Sequence, residues 1–141
     1  MSRATRFSVA VHTLALIERF SDDRPTSEMI ANSVGTNASF VRRVLSLLAR
    51  AGLVRSSAGI AGATLARPAQ RITLLEVYRA VGMAGEHSPA IHQEPNPSCF
   101  VGRRIQSVLE VVIGSADGAF EAELRRRTLA DVVRLIKARA T

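Results

Sequence analysis

This chain is short of cysteine: Cys99 is the only one in 141 residues. A single thiol forms no internal disulfide, so nothing in the sequence points to an oxidising compartment. Long apolar runs are missing too. None approaches the roughly 20 residues needed to span a bilayer, and no basic, apolar leader opens the chain. Internal repeats and low-complexity stretches are absent as well. These absences leave the expectation of a soluble, cytoplasmic protein, long enough for one domain with a real core.

Positive charge is in excess, and its placement says more than its size. The formal net charge is +7. Ten arginines from Met1 to Arg71 face only Glu18, Asp22, Asp23 and Glu28. From Ile72 onward, eight arginines and Lys137 are nearly balanced by eight acids. Basicity confined to the first half suits a surface that meets a polyanion.

Within that half the spacing predicts helices. Phe7, Ala10, Val11, Leu14 and Ile17 recur at helical period and predict one buried stripe, with His12 off it. Thr26 is placed to cap a short helix, "SEMIANSV", with Glu28 in its first turn and Gly35 as its terminator. Asn37 then caps a helix running to about Ala51, with Gly52 as the stop. Two helices joined by a short turn containing glycine form a helix-turn-helix. On the second helix Ser39, Arg42, Arg43, Ser46 and Arg50 share one face, uninterrupted by an acid, while Phe40, Val41, Val44, Leu45 and Leu48 form the rest. A solvated face usually mixes both signs, so this one reads as a surface for DNA.

"LVRSS" and "ATLAR" flank "AGIAG" and predict a β-hairpin wing, with Arg55 and Arg67 where they could meet phosphates or the minor groove. Thr73 and Glu76 predict a capping box. The stretch over 82–98 is rich in Gly, Pro and polar residues and reads as a loop. A long helix is expected from near Cys99 to about Arg126, with two apolar stripes. Leu109, Ile113, Phe120 and Leu124 form one. Ile105, Val108, Val112, Ala116 and Ala119 form the other, and are expected to meet the same helix of a second copy. Gly114 and Gly118 inside that helix permit either a close approach or a kink. Thr128, with Asp131 three residues on, should start a final short helix.

The segments "FSVAVHTLALI", "TSEMIANSVGTN", "VRRVLSLLARAGLV", "LARPAQRITLLEVYRAV", "NPSCFVG" and "TLADVV" together resemble the IscR/NsrR/CymR-type winged-helix regulators of bacteria, over nearly the whole chain. The resemblance implies a mainly α fold: a winged helix-turn-helix domain with a small hairpin wing, then a long C-terminal dimerisation helix. It divides the chain into a DNA-binding domain (1–81), a sensor or linker loop (82–98) and the dimerisation region (99–141). It implies homodimers on palindromic double-stranded operator DNA, mostly repressing. Carried onto this sequence, Ser39, Arg42 and Arg43 lie nearest the bases, with Asn37 and Ser46 on the same helix. Arg50, Arg55 and Arg67 contact phosphates. The sequence departs from the family at the wing, where Gly62 has alanine on both sides.

One branch of that family holds an iron–sulfur cluster with three cysteines. A single cysteine per chain falls far short of that ligand set, so no such cofactor is expected. His87, His92 and Cys99 match no compact zinc spacing, and the two histidines read as solvated loop residues. No oriented base or oxyanion hole is evident for hydrolysis by Cys99, which excludes an enzyme reading. Two readings of Cys99 stay open. One is a sensor thiol activated in the first turn of the long helix, with Arg103 and Arg104 nearby. The other is a cysteine that only packs.

Overall fold

Local capping chemistry sets the element boundaries in the computed structural model, which describes residues 5–57 and 59–139. Helix α1 spans Arg6–Arg19 and buries Val9, Ala10, Thr13, Leu14 and Ile17. The expected stripe is present but wider, because Val9 and Thr13 also face inward. Helix α2 (Ser27–Val34) begins where the Thr26 hydroxyl accepts from the Met29 amide at 3.2 Å. It ends at Gly35, whose φ of +85° closes the turn into the next helix. Helix α3 (Ala38–Arg50) begins where Asn37 Oδ1 accepts from the Phe40 amide at 2.8 Å. The three helices share one core, in which Leu14, Ile17, Ile30, Val41 and Leu48 are fully buried.

The wing is two antiparallel strands, β1 (Val54–Ser57) and β2 (Ile60–Leu65), paired Val54 to Leu65 and Arg55 to Thr64. The expected five-residue loop over 58–62 is too long, since Ile60, Ala61 and Gly62 already belong to β2; Ala58 lies outside the described residues. Gly62 is therefore not at the tip. It sits where β2 crosses the chain entering α2, with a φ of +90°, and a Cβ there would overlap the carbonyl oxygen of Arg24. The Ala63 amide donates to Pro25 O at 3.3 Å beside it, and the Arg24 guanidinium reaches Ala61 O and Gly62 O. This seam fixes the wing to the helix-turn-helix.

Helix α4 (Leu74–Ala80) opens with the expected capping box of Thr73 and Glu76. Helix α5 spans Ile105–Arg126, so it starts six residues after Cys99 rather than beside it. Residues Cys99–Arg104 form turns instead, in which the Cys99 amide donates to Asn96 O and the Arg103 amide to Cys99 O. Gly102 permits this tight packing, because a Cβ there would overlap Asn96 O. Helix α5 is unbroken through Gly114 and Gly118, both of which face open space.

Helix α6 (Leu129–Ala138) carries the expected Thr128–Asp131 capping box and turns back onto α1. Leu129 is fully buried in the common core, and the Leu129 amide donates to Ile72 O at 2.8 Å. The Leu74 amide answers by donating to Arg127 O at 2.9 Å. The division of the chain near residues 82–98 is thus not a division of the core, which the C-terminal helix completes.

Gly62→Ala should destabilise the protein by about 2 kcal/mol or more, because it combines a forbidden φ with a backbone clash. Gly59→Ala, at a φ of +78° with open space around it, should cost less. Urea unfolding of both variants measures the difference, and equal losses would show that the Arg24 seam contributes nothing.

Candidate nucleic-acid interface

Helix α3 is divided lengthwise. Phe40, Val41, Val44 and Leu48 are buried, while Asn37, Ser39, Arg42, Arg43, Ser46 and Arg50 are all exposed. The inward side chains fix the rotation of the helix, so the basic face is held outward by packing. Ser39, Arg42, Arg43, Ser46 and Arg50 line one shallow concavity together with Arg6. A second concavity runs between α2, α3 and the wing, where Ser27, Arg42, Ser46, Arg55 and Ile60 meet. Arg42 and Ser46 stand on the ridge between the two. Arg43 lies over its own Phe40 ring, 5.5 Å from the centroid, and that contact orients its guanidinium.

The expected residues are not all brought together. Arg55 is exposed on β1 and flanks the second concavity. Arg67 lies beyond the end of β2, where its Nη2 pairs with Glu76 Oε2 at 2.5 Å and its Nη1 donates to Arg71 O at 3.0 Å. It braces the α4 cap. Burial pushes the Glu76 carboxyl up, but hydrogen bonds from Arg67 and from the amide and hydroxyl of Thr73 outweigh this and hold it below its usual value.

Two residues beside this surface escaped the sequence reading. Arg6 lines the α3 concavity while its Nη1 donates to Val81 O at 2.9 Å, tying α1 to the end of α4. Its place at the start of α1 carried no periodic signal. Glu28, read only as a favourable first-turn acid, places Oε1 3.4 Å from Arg42 Nη1.

A second polar cluster joins the loop, α4 and α5. Tyr78 Oη and His87 Nδ1 are 2.9 Å apart, and the His87 ring stacks on Phe120 at 3.9 Å. His87 Nε2 lies 3.1 Å from Asp117 Oδ1, within ion-pair range but not aligned for a hydrogen bond, and the Ser88 hydroxyl donates to the same oxygen. His87 is therefore not the solvated residue expected. It pins the loop to the long helix, whereas His92 is exposed. Burial pushes the Tyr78 phenol up; the hydrogen bond with His87 opposes this, and Glu86, Glu121 and Asp117 add to it. His12, off the buried stripe of α1, is exposed and meets Ser33 Oγ at 2.9 Å.

Cys99 is exposed, so it does not pack within its own subunit. Its activating surroundings are not the first turn of α5. The backbone amides of Gly102 and Val101 lower the thiol pKa below its ordinary value, only weakly opposed by desolvation. Nearby, the Arg104 guanidinium lies 4.0 Å above the Phe100 ring.

A helix-turn-helix with a two-stranded wing and an outward basic helix defines a winged-helix DNA-binding regulator. Residues 3–135 match the Rrf2 family, described as an iron-dependent transcriptional regulator, and the chain belongs to that family. YwnA of Bacillus subtilis, named as an HTH-type transcriptional regulator, is 45% identical over 129 residues, covering 92% of this chain and 95% of YwnA. A crystal structure described as that of a DNA-binding protein is 43% identical, with a TM-score of 0.72 over 90% of this chain and 97% of that one. IscR of T. potens shares the fold, with a TM-score of 0.72 at 21% identity, covering 97% of this chain and 90% of its own. The family is one of transcriptional regulators, not of enzymes. Among the described residues, no helix is long and apolar enough to cross a membrane.

The iron in the family's description finds no donor set among the described residues of a single chain. Among the described residues, no three His, Cys, Asp or Glu side chains are grouped so as to hold a metal ion. His87, which packs against α5, already has Nδ1 engaged with Tyr78 Oη, and its Nε2 lies 3.1 Å from Asp117 Oδ1.

The pH midpoint for Cys99 alkylation by iodoacetamide should lie below that of an unstructured cysteine peptide. Gly102→Ala should move the midpoint back up by disrupting the turn. A wild-type midpoint at or above that of the peptide would refute the amide-stabilised thiolate.

Proposed function

We propose that this regulator is a homodimeric repressor that binds palindromic operator DNA through α3 and the wing. The observation that carries the proposal is the division of α3, with a basic outer face over a sealed apolar inner one. Ser39, Arg42 and Arg43 read bases in the major groove, where arginine pairs bidentately with guanine. Asn37, Ser46, Arg50 and Arg55 fix the register on the backbone. Arg67, committed to Glu76, is left out of this interface. In this reading residues 1–81 bind DNA, 82–98 link, and 99–141 join the subunits, with α6 also completing the core.

The dimer reading draws support from the exposure of α5. None of its side chains is buried, and Val108, Val111 and Val112 are all more than half exposed. Leu109, Ile113 and Leu124 are half-buried instead. The expected set of Ile105, Val108, Val112, Ala116 and Ala119 gains Val111, while Ile105 is half-buried. An apolar helix face of this kind is stable in water when a second copy covers it. Control by thiol oxidation is supported by the exposure of Cys99 and the two amides that favour its thiolate. Oxidation at the base of α5 alters the turn from which that helix starts, and with it the separation of the two α3 helices.

Arg43→Ala should weaken binding to the DNA upstream of its own gene by about 1–3 kcal/mol while leaving random duplex less affected. Equal weakening on both would assign Arg43 to phosphate. Mild peroxide should release the DNA from wild type but not from Cys99→Ser, with reductant restoring it. Val112→Glu should shift sedimentation toward the monomer and weaken operator binding together. A dimer that survives this change would place the interface elsewhere.

A further inference from the structure

Among the described residues, four of the seven ion pairs brace a cap or join turns of one helix, and the Arg79–Glu121 and His87–Asp117 pairs hold α5 to its neighbours. The Glu28–Arg42 pair does neither. Its side chains are 72% and 57% exposed, and a pair in that much solvent contributes between nothing and about 1 kcal/mol to folding. Helices α2 and α3 are already held together by buried Ile30, Val41 and Leu48. Folding therefore gains little from the pair, which lies beside the proposed DNA surface. Arg42 stands on the ridge between the two concavities of the interface. Among the described residues, Glu28 is the only carboxylate within ion-pair distance of Arg42, Arg43, Arg50 or Arg55.

We infer that Glu28 is a specificity-determining residue, which positions Arg42 for a base edge and withholds it from the phosphate backbone. This rests on the operator-binding reading above. A guanidinium carries its donors in a rigid planar fork. With Nη1 held by Glu28, the donors on Nη2 and Nε are left to meet the paired acceptors O6 and N7 of a guanine. An untethered arginine on the same ridge reaches whatever phosphate is nearest, and phosphate contacts carry no sequence information. The carboxylate also penalises a misplaced register. Where Arg42 falls beside a phosphate, Glu28 falls beside it too, and like charge opposes the contact. Glu28 thereby lowers affinity for DNA in general and raises the contrast between sites.

The test compares the full chain with Glu28→Gln, which keeps the shape and removes the charge. Each is titrated across a salt series on two duplexes, one enriched by the wild-type chain from a random pool and one scrambled from it. Thermal unfolding should be unchanged. Affinity for the scrambled duplex should rise several-fold, with a salt slope steeper by about one. The ratio of the two affinities should fall about tenfold, the scale of one lost base contact. In an Arg42→Ala background, adding Glu28→Gln should leave the ratio nearly unchanged. An unchanged ratio in the single variant would overturn the inference, as would an equal fall in the Arg42→Ala background. If the wild-type chain enriches no sequence, the operator reading itself fails and takes this one with it. An enriched sequence with an unchanged ratio overturns this one alone.

Discussion

The rest of the structure depends on the inward half of α3. Phe40, Val41, Val44 and Leu48 are buried against α1, α2 and the strand end at Val54. Burying each such side chain contributes roughly 1.5–3 kcal/mol. They also block rotation of the helix about its own axis, since a turn of one residue would drive Arg42 or Arg43 into the core. A charged side chain there is far costlier than the packing it would displace. The direction in which the arginines point is therefore a property of the core, and the exposed surface needs few contacts of its own to hold its shape.

The features legible in the sequence are those whose physics is local. Asn37, Thr73 with Glu76, and Thr128 with Asp131 cap helices through hydrogen bonds spanning three residues, and each does so here. The division of α3 followed from period alone. The start of α5 did not, because "CFVGRR" reads as the first turns of the helix itself. Its turns depend on the close approach of Gly102 to Asn96, which no spacing rule encodes. Gly62 was misplaced for the same kind of reason, since the surface it meets is 38 residues away at Arg24.

The polar side chains were the least legible. Arg67 looked like one more basic residue near a wing, and its pairing with Glu76 appears only when β2 returns beside α4. His87 looked solvated because its loop is polar, yet Tyr78 and Phe120 close over it from two helices. Glu28 and Arg42 are 14 residues apart on different helices. In each case the partner is tertiary, and composition reports how many charges exist without saying which ones meet.

Helix α5 is attached to its own domain mainly along α4, through Tyr78, His87 and the Arg79–Glu121 pair. At 22 residues it is about 33 Å long, close to the roughly 34 Å between successive major grooves on one side of a duplex. It is in effect a lever with its fulcrum beside the aromatic cluster. A tilt of about 10° there would sweep the far end at Ile105, about 22 Å away, through roughly 4 Å. In the dimer proposed above, small changes in how three rings pack would thus be magnified at the far end of the helix.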